Sequence, residues 1–136
     1  MINIYIEAKR EGSETRYGYI LEAIVKDTPV TRSGRGTVKG TLQKGILTAA
    51  VEALARMTKT SRITVHVPEK TDLIGTLSRL DELAKDKFYE HYRKVNHHKE
   101  LETIYASGHE IEFKEGESPY RNWIIRNLID KEGANV

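Results

Sequence analysis

The hydrophobic pattern of the first forty residues predicts three strands. Residues 2–6 alternate between isoleucine and other side chains, the period of a strand with one buried face. A polar, glycine-containing loop over 9–14 precedes a second strand-like run over 17–25, which favours a hairpin. Residues 30–38 predict a third strand, and the proline and glycines near it place this strand at a sheet edge.

In the middle of the chain the spacing of apolar residues changes from the period of a strand to that of a helix. Apolar residues recur at helical spacing over 44–57 and predict an amphipathic helix packed on the sheet. Residues 63–67 alternate again and predict a fourth strand, which Pro68 ends. Four leucines over 73–83 indicate one further helix.

The last third of the chain predicts a helix, a strand and a final helix. We expect a short helix over 100–106 and a fifth strand around 111–113. Serine followed by proline suits a helix start, so the last helix should open at Ser118 and bury Trp123 in the core. Strands that form a meander and are then joined through helices imply one α/β domain with a mixed sheet. This domain is predicted to span 1–130, with a polar C-terminal tail over 131–136.

Composition narrows the class of protein. The chain has 136 residues, of which 38% are hydrophobic and 31% charged, enough to fill one core. It contains no cysteine, so disulfide frameworks and thiolate zinc sites are excluded. Apolar runs are too short for a membrane helix, and the start predicts a strand where a secretory signal would stand. We therefore expect a cytoplasmic protein without a membrane partner.

Five segments together resemble the ribonuclease H family, type 1, in consistent order along the chain. They are Ile4–Glu7, Tyr17–Leu21, Ile46–Leu54, Val95–Leu101 and Ser107–Phe113. The resemblance implies a five-stranded mixed sheet flanked by helices. It also implies metal-dependent hydrolysis of the RNA strand in an RNA–DNA hybrid, in which two Mg²⁺ ions activate water and stabilise the leaving oxygen.

The resemblance places catalytic residues at Glu7, Glu69 and Asn122. Glu7 matches the aspartate that ends the family's first strand. The acid after the fourth strand falls on Pro68, or on Glu69 if the loop has gained one residue, and Glu69 is preferred. The acid of the last helix is matched by the neutral Asn122. The acid of the first helix is matched by Ile46, which we expect beside Glu7.

The implied metal ligands are Glu7 and Glu69, with Asp72 as a substitute for a missing acid. Mg²⁺ takes oxygen ligands and needs several converging carboxylates. So few acids imply that Mg²⁺ or Mn²⁺ is held weakly, and therefore that cleavage is impaired or absent.

Two segments carry local positive charge, although the whole chain has a net charge of only +2. Residues 31–44 contain Arg32, Arg35, Lys39 and Lys44 without any acid, and their glycines would let backbone amides approach a phosphate. The resemblance adds Gln43 as a polar contact to nucleic acid. Residues 85–99 carry a net +3 with interleaved aromatics, a pattern that fits either nucleic-acid contact or simple docking of the helix.

Three functions remain compatible with the sequence. The favoured one is a ribonuclease H-like protein that binds RNA–DNA hybrid or other nucleic acid with little or no nuclease activity. The alternatives are an active Mg²⁺- or Mn²⁺-dependent ribonuclease H and a protein-interaction module on the same fold.

Overall fold

A computed structural model describes residues 1–130, so the tail predicted over 131–136 lies outside the described residues. The strands are β1 (Ile2–Glu11), β2 (Glu14–Val25), β3 (Thr28–Lys39), β4 (Arg62–Val67), β5 (Tyr89–Glu90), β6 (Arg93–Lys94) and β7 (Glu110–Glu115). The helices are α1 (Leu42–Ala55), α2 (Ile74–Leu77), α3 (Leu80–Lys85), α4 (His98–Tyr105) and α5 (Arg121–Ile124), and a π-helical segment, Ile125–Ile129, continues α5.

Five strands form one mixed sheet, as predicted, and their order in the sheet is β3-β2-β1-β4-β7. The first three pair antiparallel, whereas β4 runs parallel to both β1 and β7. The strands β5 and β6 form a separate small hairpin. Parallel neighbours need crossovers, and the helices that follow β3 and β4 supply them.

The two faces of the sheet carry separate apolar clusters. Ile4 and Ile6 of β1 pack with α1 in the larger cluster. Tyr5 points to the opposite face, where it packs with Ile124 and Ile129. Because side chains alternate along a strand, Glu7 shares the face of Tyr5, below α5.

The first hairpin is longer than the sequence pattern predicted. Residues 9–14 were expected to form a polar loop, but pairing continues to Glu11 and Glu14, which leaves only a tight turn between the strands. Thr15 is fully buried, and its hydroxyl donates to the carbonyl oxygen of Gly40 at 3.0 Å. Backbone pairing and this buried hydrogen bond outweigh the polar character of the segment.

The helix predicted over 73–83 is interrupted. The hydroxyl of Ser78 donates to the carbonyl oxygen of Ile74 at 2.7 Å, and Arg79 leaves the helical region with a ψ of 17°. Such back-bonding competes with the regular helical pattern. The chain therefore forms α2 and α3, and the four predicted leucines still reach the core.

The prediction that Trp123 is a core residue is wrong, because its side chain is 47% exposed. Ile124 and Ile129 are the residues of this segment that are buried. Their spacing of five residues fits the wider π-helical turn, in which the amide of Asp130 donates to the carbonyl oxygen of Ile125 at 2.7 Å. Ile124 and Ile129 face the sheet, and Trp123 points to solvent.

None of the helices within residues 1–130 has the length and apolar character needed to cross a membrane.

Candidate functional site

A small cavity of about 200 Å³ lies where β4 ends beside β1. Tyr5 pairs with His66, which places Glu7 level with Pro68, directly after β4. Glu7 and Glu69 both line this cavity, together with Pro68, Lys70, Gly116, Glu117 and Arg121. The structure therefore brings together two of the three predicted catalytic residues.

Glu7 is the buried acid of this cavity. Its side chain is 6% exposed, and its Oε1 lies 3.8 Å from the Nε of Arg121. Burial raises the pKa of Glu7 from 4.5 to about 7, while Arg121 lowers this pKa and Glu117 raises it. The dominant effect is the loss of hydration around the ionised carboxylate.

The other predicted ligands do not join Glu7 in a cage. Glu69 is exposed at the cavity rim. Asn122 is exposed and does not line the cavity, whereas its neighbour Arg121 does. Asp72 lines a different cavity, beside the start of α1.

The donor set does not fit the two-metal chemistry that the resemblance implied. Within the part of the chain that the structure describes, no three acidic or histidine side chains form a group that could hold a metal ion. The cation closest to Glu7 is the guanidinium of Arg121, which is itself within 4.0 Å of Glu117. A second positive ion beside that guanidinium would be repelled by it.

Ile46 does not lie beside the Glu7 carboxylate, contrary to expectation. It is fully buried in the cluster between α1 and the sheet, together with Ile4 and Ile6. Glu7 points to the other face, toward α5. The alternation of β1 thus separates the two positions by the thickness of the sheet.

The predicted nucleic-acid contacts are distributed over two faces of the sheet. Arg32 pairs with Leu21, which belongs to the α1 face. Arg35 pairs with Gly18, which the π-helical segment covers on the opposite face. The two arginines thus leave β3 on opposite faces of the sheet.

The remaining basic residues gather where β3 meets α1. Lys39 ends β3 and Lys44 lies in the first turn of α1, with Gly40 between them; we call residues 39–44 the basic corner. Thr41 caps the helix by accepting from the amide of Lys44 at 3.2 Å. Within residues 1–130 no carboxylate forms an ion pair with Lys39, Lys44 or the two arginines of β3.

Gln43 joins the basic corner to the loop that carries Glu69. Its Nε2 donates to the carbonyl oxygen of Thr71 at 3.2 Å. This hydrogen bond gives the Gln43 side chain a structural role that was not foreseen. It also fixes the basic corner next to the end of β4.

Two glycines of β3 have a packing role that the sequence did not predict. A Cβ at Gly34 would overlap the ring of Tyr19, and one at Gly36 would overlap the hydroxyl of Tyr17. Each glycine is the register partner of the tyrosine that it accommodates. Within residues 1–130, β3 is an edge strand of the sheet and pairs only with β2.

Of the aromatic residues in 85–99, one is buried in the core and two are exposed. Phe88 is 5% exposed and packs in the main core, whereas Tyr92 at the tip of the hairpin is fully exposed. The ammonium of Lys94 lies 4.9 Å from the ring centroid of Tyr89. Phe88 therefore docks this segment onto the core, and Tyr89 and Tyr92 remain at the surface.

Sequence reasoning missed Arg121 and Glu117, which complete the cavity. The two stand four residues apart, Glu117 in the loop before α5 and Arg121 at the first position of that helix, and their side chains lie within 4.0 Å of each other. That spacing was the available signal. Nothing local indicates that the pair faces Glu7, because Arg121 lies far from Glu7 in sequence.

Comparison with solved structures identifies the architecture. One similar structure is LC9-RNase H1, described as a type 1 RNase H with the type 2 active-site motif; the TM-score is 0.73 at 11% identity, covering 99% of this chain and 73% of that one. RNase H1 from the halophilic archaeon Halobacterium salinarum NRC-1 has a TM-score of 0.62 at 14% identity, covering 99% and 98%. The foamy viral protease-reverse transcriptase in complex with RNA/DNA hybrid has a TM-score of 0.63 at 12% identity, covering 93% and 18%.

No family model and no curated protein matches the sequence. The similarity to solved structures confirms the predicted fold: the chain has a ribonuclease H-like fold, with its five-stranded mixed sheet between helices.

Proposed function

We propose that this chain binds nucleic acid, RNA–DNA hybrid in particular, and cleaves it slowly or not at all. The observation that carries the proposal is the ion pair between Glu7 and Arg121. In two-metal hydrolysis, carboxylates hold the ions that generate the nucleophile and stabilise the leaving oxygen. A guanidinium beside the central acid can bind a phosphate oxygen, but it does not supply a metal-activated hydroxide.

The proposed binding surface is the basic corner together with Arg121. Lys39 and Lys44 are free of ion pairs within residues 1–130, and the first turn of α1 contains no acid. The amino terminus of a helix attracts anions through its unpaired amides and its dipole. Support also comes from the similar viral structure that was solved with RNA/DNA hybrid.

A binding experiment tests the first half of the proposal. Fluorescence anisotropy with a labelled hybrid should show weak binding whose affinity falls steeply as salt rises, because phosphate contacts release counterions. Lys39→Gln/Lys44→Gln should weaken this binding by about tenfold or more at low salt. The matched control is Lys59→Gln/Arg62→Gln, which removes two charges near the opposite end of β4 and should leave the affinity unchanged.

A cleavage experiment tests the second half. The same hybrid is incubated with Mg²⁺ and separately with Mn²⁺, using the native chain and Glu7→Gln. We expect no cleavage that depends on Glu7. Cleavage by the native chain that Glu7→Gln abolishes would establish the nuclease alternative.

The protein-interaction alternative rests on a different observation, the 47% exposure of Trp123 on α5. Exposed tryptophan is enriched at protein interfaces. The absence of salt-sensitive binding of the hybrid would favour this alternative over nucleic-acid binding.

A further inference from the structure

A second cavity, of about 520 Å³, opens between the start of α1 and the helices α2, α3 and α4. Its floor is apolar and consists of Leu47, Leu73, Leu83 and Leu101, each no more than 5% exposed. Small-molecule sites are typically concave and mostly apolar, with a few polar groups that fix orientation. We call this cavity the Asn96 pocket.

Three polar side chains of the Asn96 pocket have no partner. Within residues 1–130 the structure records no hydrogen bond or ion pair to the side chains of Asp72, Asn96 or His97, all of which line the pocket. They offer a carboxylate acceptor, an amide with donors and an acceptor, and an imidazole. Asp72 and Asn96 are exposed and His97 is half-buried, so all three are accessible to a ligand with both donor and acceptor edges.

The pocket is not built for a phosphate. Its arginine, Arg79, is already bound by Glu82 and Glu90, each at 3.0 Å. Asp72 and Glu90 add negative charge to the lining. A phosphate in the pocket would therefore meet two carboxylates and no unpaired arginine or lysine, whereas an uncharged ring with an amino group would meet suitable acceptors.

The basic corner forms one wall of the same pocket. Thr41 and Gln43, the first residues around the start of α1, line it. Lys39 and Lys44 flank these two residues in the chain. A nucleic-acid strand bound at the basic corner would therefore pass close to this wall of the pocket.

We propose that the Asn96 pocket binds an unpaired nucleobase of the bound strand. The leucine floor packs against the flat face of the ring, Asp72 accepts from an exocyclic amino group, and Asn96 pairs with the remaining polar edge. A base within a duplex has this edge occupied by its partner, so the pocket selects single-stranded ends or extruded bases. This inference rests on the proposed function, since the basic corner brings the strand to the pocket.

Anisotropy with three probes tests the proposal. They are a blunt hybrid, the same hybrid with a short single-stranded overhang, and that hybrid with an abasic overhang of equal charge. We expect the overhang with bases to bind about fivefold to tenfold more tightly than the abasic overhang. Asn96→Ala and His97→Asn should remove this difference while preserving the affinity for the blunt hybrid.

The matched control is His91→Asn. His91 and His97 both have positive φ, 49° and 60°, a region that asparagine tolerates, but His91 does not line the pocket. The control should keep the preference for bases. Equal binding of the two overhangs, or a preference that survives Asn96→Ala and His97→Asn, would overturn the pocket proposal.

A titration with free nucleosides separates this proposal from the proposed function. In nuclear magnetic resonance spectra, guanosine or cytidine should shift the side-chain amide signals of Asn96, and ribose 5-phosphate should not. Failure of every hybrid to bind, with these shifts present, would reject the nucleic-acid function and keep the base pocket. Absence of the shifts, with the blunt hybrid bound, would reject the pocket alone.

Discussion

Glu7 of β1 and Arg121 of α5 face each other across 3.8 Å, the carboxylate buried and the guanidinium half exposed. The pair links the central strand to the helix that covers it. Arg121 lowers the pKa of Glu7, but burial acts in the opposite direction and dominates. With a pKa of about 7, this carboxyl group changes between its neutral and ionised forms close to neutral pH.

The first prediction concerns stability against pH. The folded-state pKa of Glu7, about 7, exceeds its ordinary value of 4.5. Between these values the unfolded chain loses this proton before the folded chain does, so the contribution of Glu7 to stability is present below about pH 4.5 and is lost as pH rises to about 7. Glu7→Gln should therefore raise the free energy of unfolding at about pH 8 by about 1–3 kcal/mol, with little effect near pH 4.

Urea unfolding at both pH values measures this difference. The control is Glu117→Gln, which removes a nearby exposed acid and should change the pH dependence far less. A Glu7→Gln variant with the same pH dependence as the native chain would contradict the burial effect.

The second prediction concerns Arg121 itself. Replacing it with glutamine removes the positive charge that favours the ionised carboxylate, so the pKa of Glu7 should rise further. Arg121→Lys keeps the charge and should move the pKa less. The carbon chemical shift of the Glu7 carboxyl group, followed through a pH titration, reports this value directly, and a fall after Arg121→Gln would refute the pairing.

The third prediction concerns the glycines of β3. A methyl group at Gly34 would overlap the Tyr19 ring, so Gly34→Ala should destabilise the fold by about 1–3 kcal/mol. Gly75→Ala is the control, because nothing lies within 4 Å of its Cβ position and it belongs to α2. That substitution should be neutral or stabilise by up to about 1 kcal/mol. Equal effects of the two changes in urea unfolding would argue against close packing at Gly34.

The sequence predicted most strands and helices along the chain because alternation and helical period are local signals, and the resemblance to ribonuclease H implied the five-stranded mixed sheet. The resemblance implied that Glu7 and Glu69 lie near each other, and in the structure Glu7 lies within β1 while Glu69 follows the parallel strand β4. The pairing of Gly34 with Tyr19 could not be predicted, because it depends on the register between β2 and β3. A shift of one residue would turn the tyrosine to the other face.

The errors at the last helix have a different physical origin. Trp123 was expected in the core from its hydrophobicity, but the π-helical turn buries Ile124 and Ile129 in its place. A single extra residue in a helical turn changes which side chains face the sheet. In the preceding α-helical turn Arg121, which the sequence did not indicate, lines the cavity, while Asn122 does not.

The fourth prediction concerns a hydrogen-bonded chain on the α5 face. The Tyr120 hydroxyl donates to Glu22 at 2.5 Å, and the Asn3 amide donates to the other oxygen of Glu22 at 3.1 Å. Tyr120→Phe removes the first bond and leaves a half-buried carboxylate with one fewer donor, which should cost about 1–2 kcal/mol in unfolding free energy. Tyr92→Phe, at the exposed hairpin tip, is the control and should cost nothing measurable. Indistinguishable midpoints for the two variants would show that Tyr120 adds no stability.

The last prediction separates the two basic groups of the segment 31–44. Lys39 and Lys44 lie together at the basic corner, so both can contact one strand of nucleic acid. Arg32 and Arg35 lie on opposite faces of β3, so at most one of them can do so. Each lost phosphate contact lowers the slope of log affinity against log salt by about 1.

Lys39→Gln/Lys44→Gln should therefore reduce this slope by about 2, and Arg32→Gln/Arg35→Gln by about 1 or less. Titrations of a labelled hybrid over a series of salt concentrations give both slopes, and the single arginine variants show which face of β3 is used. A larger reduction of this slope by the arginine substitutions than by the lysine substitutions would show that the binding surface is the edge of the sheet and not the basic corner. It would also remove the support that the basic corner gives to the Asn96 pocket, because the strand would then pass on the far side of β3.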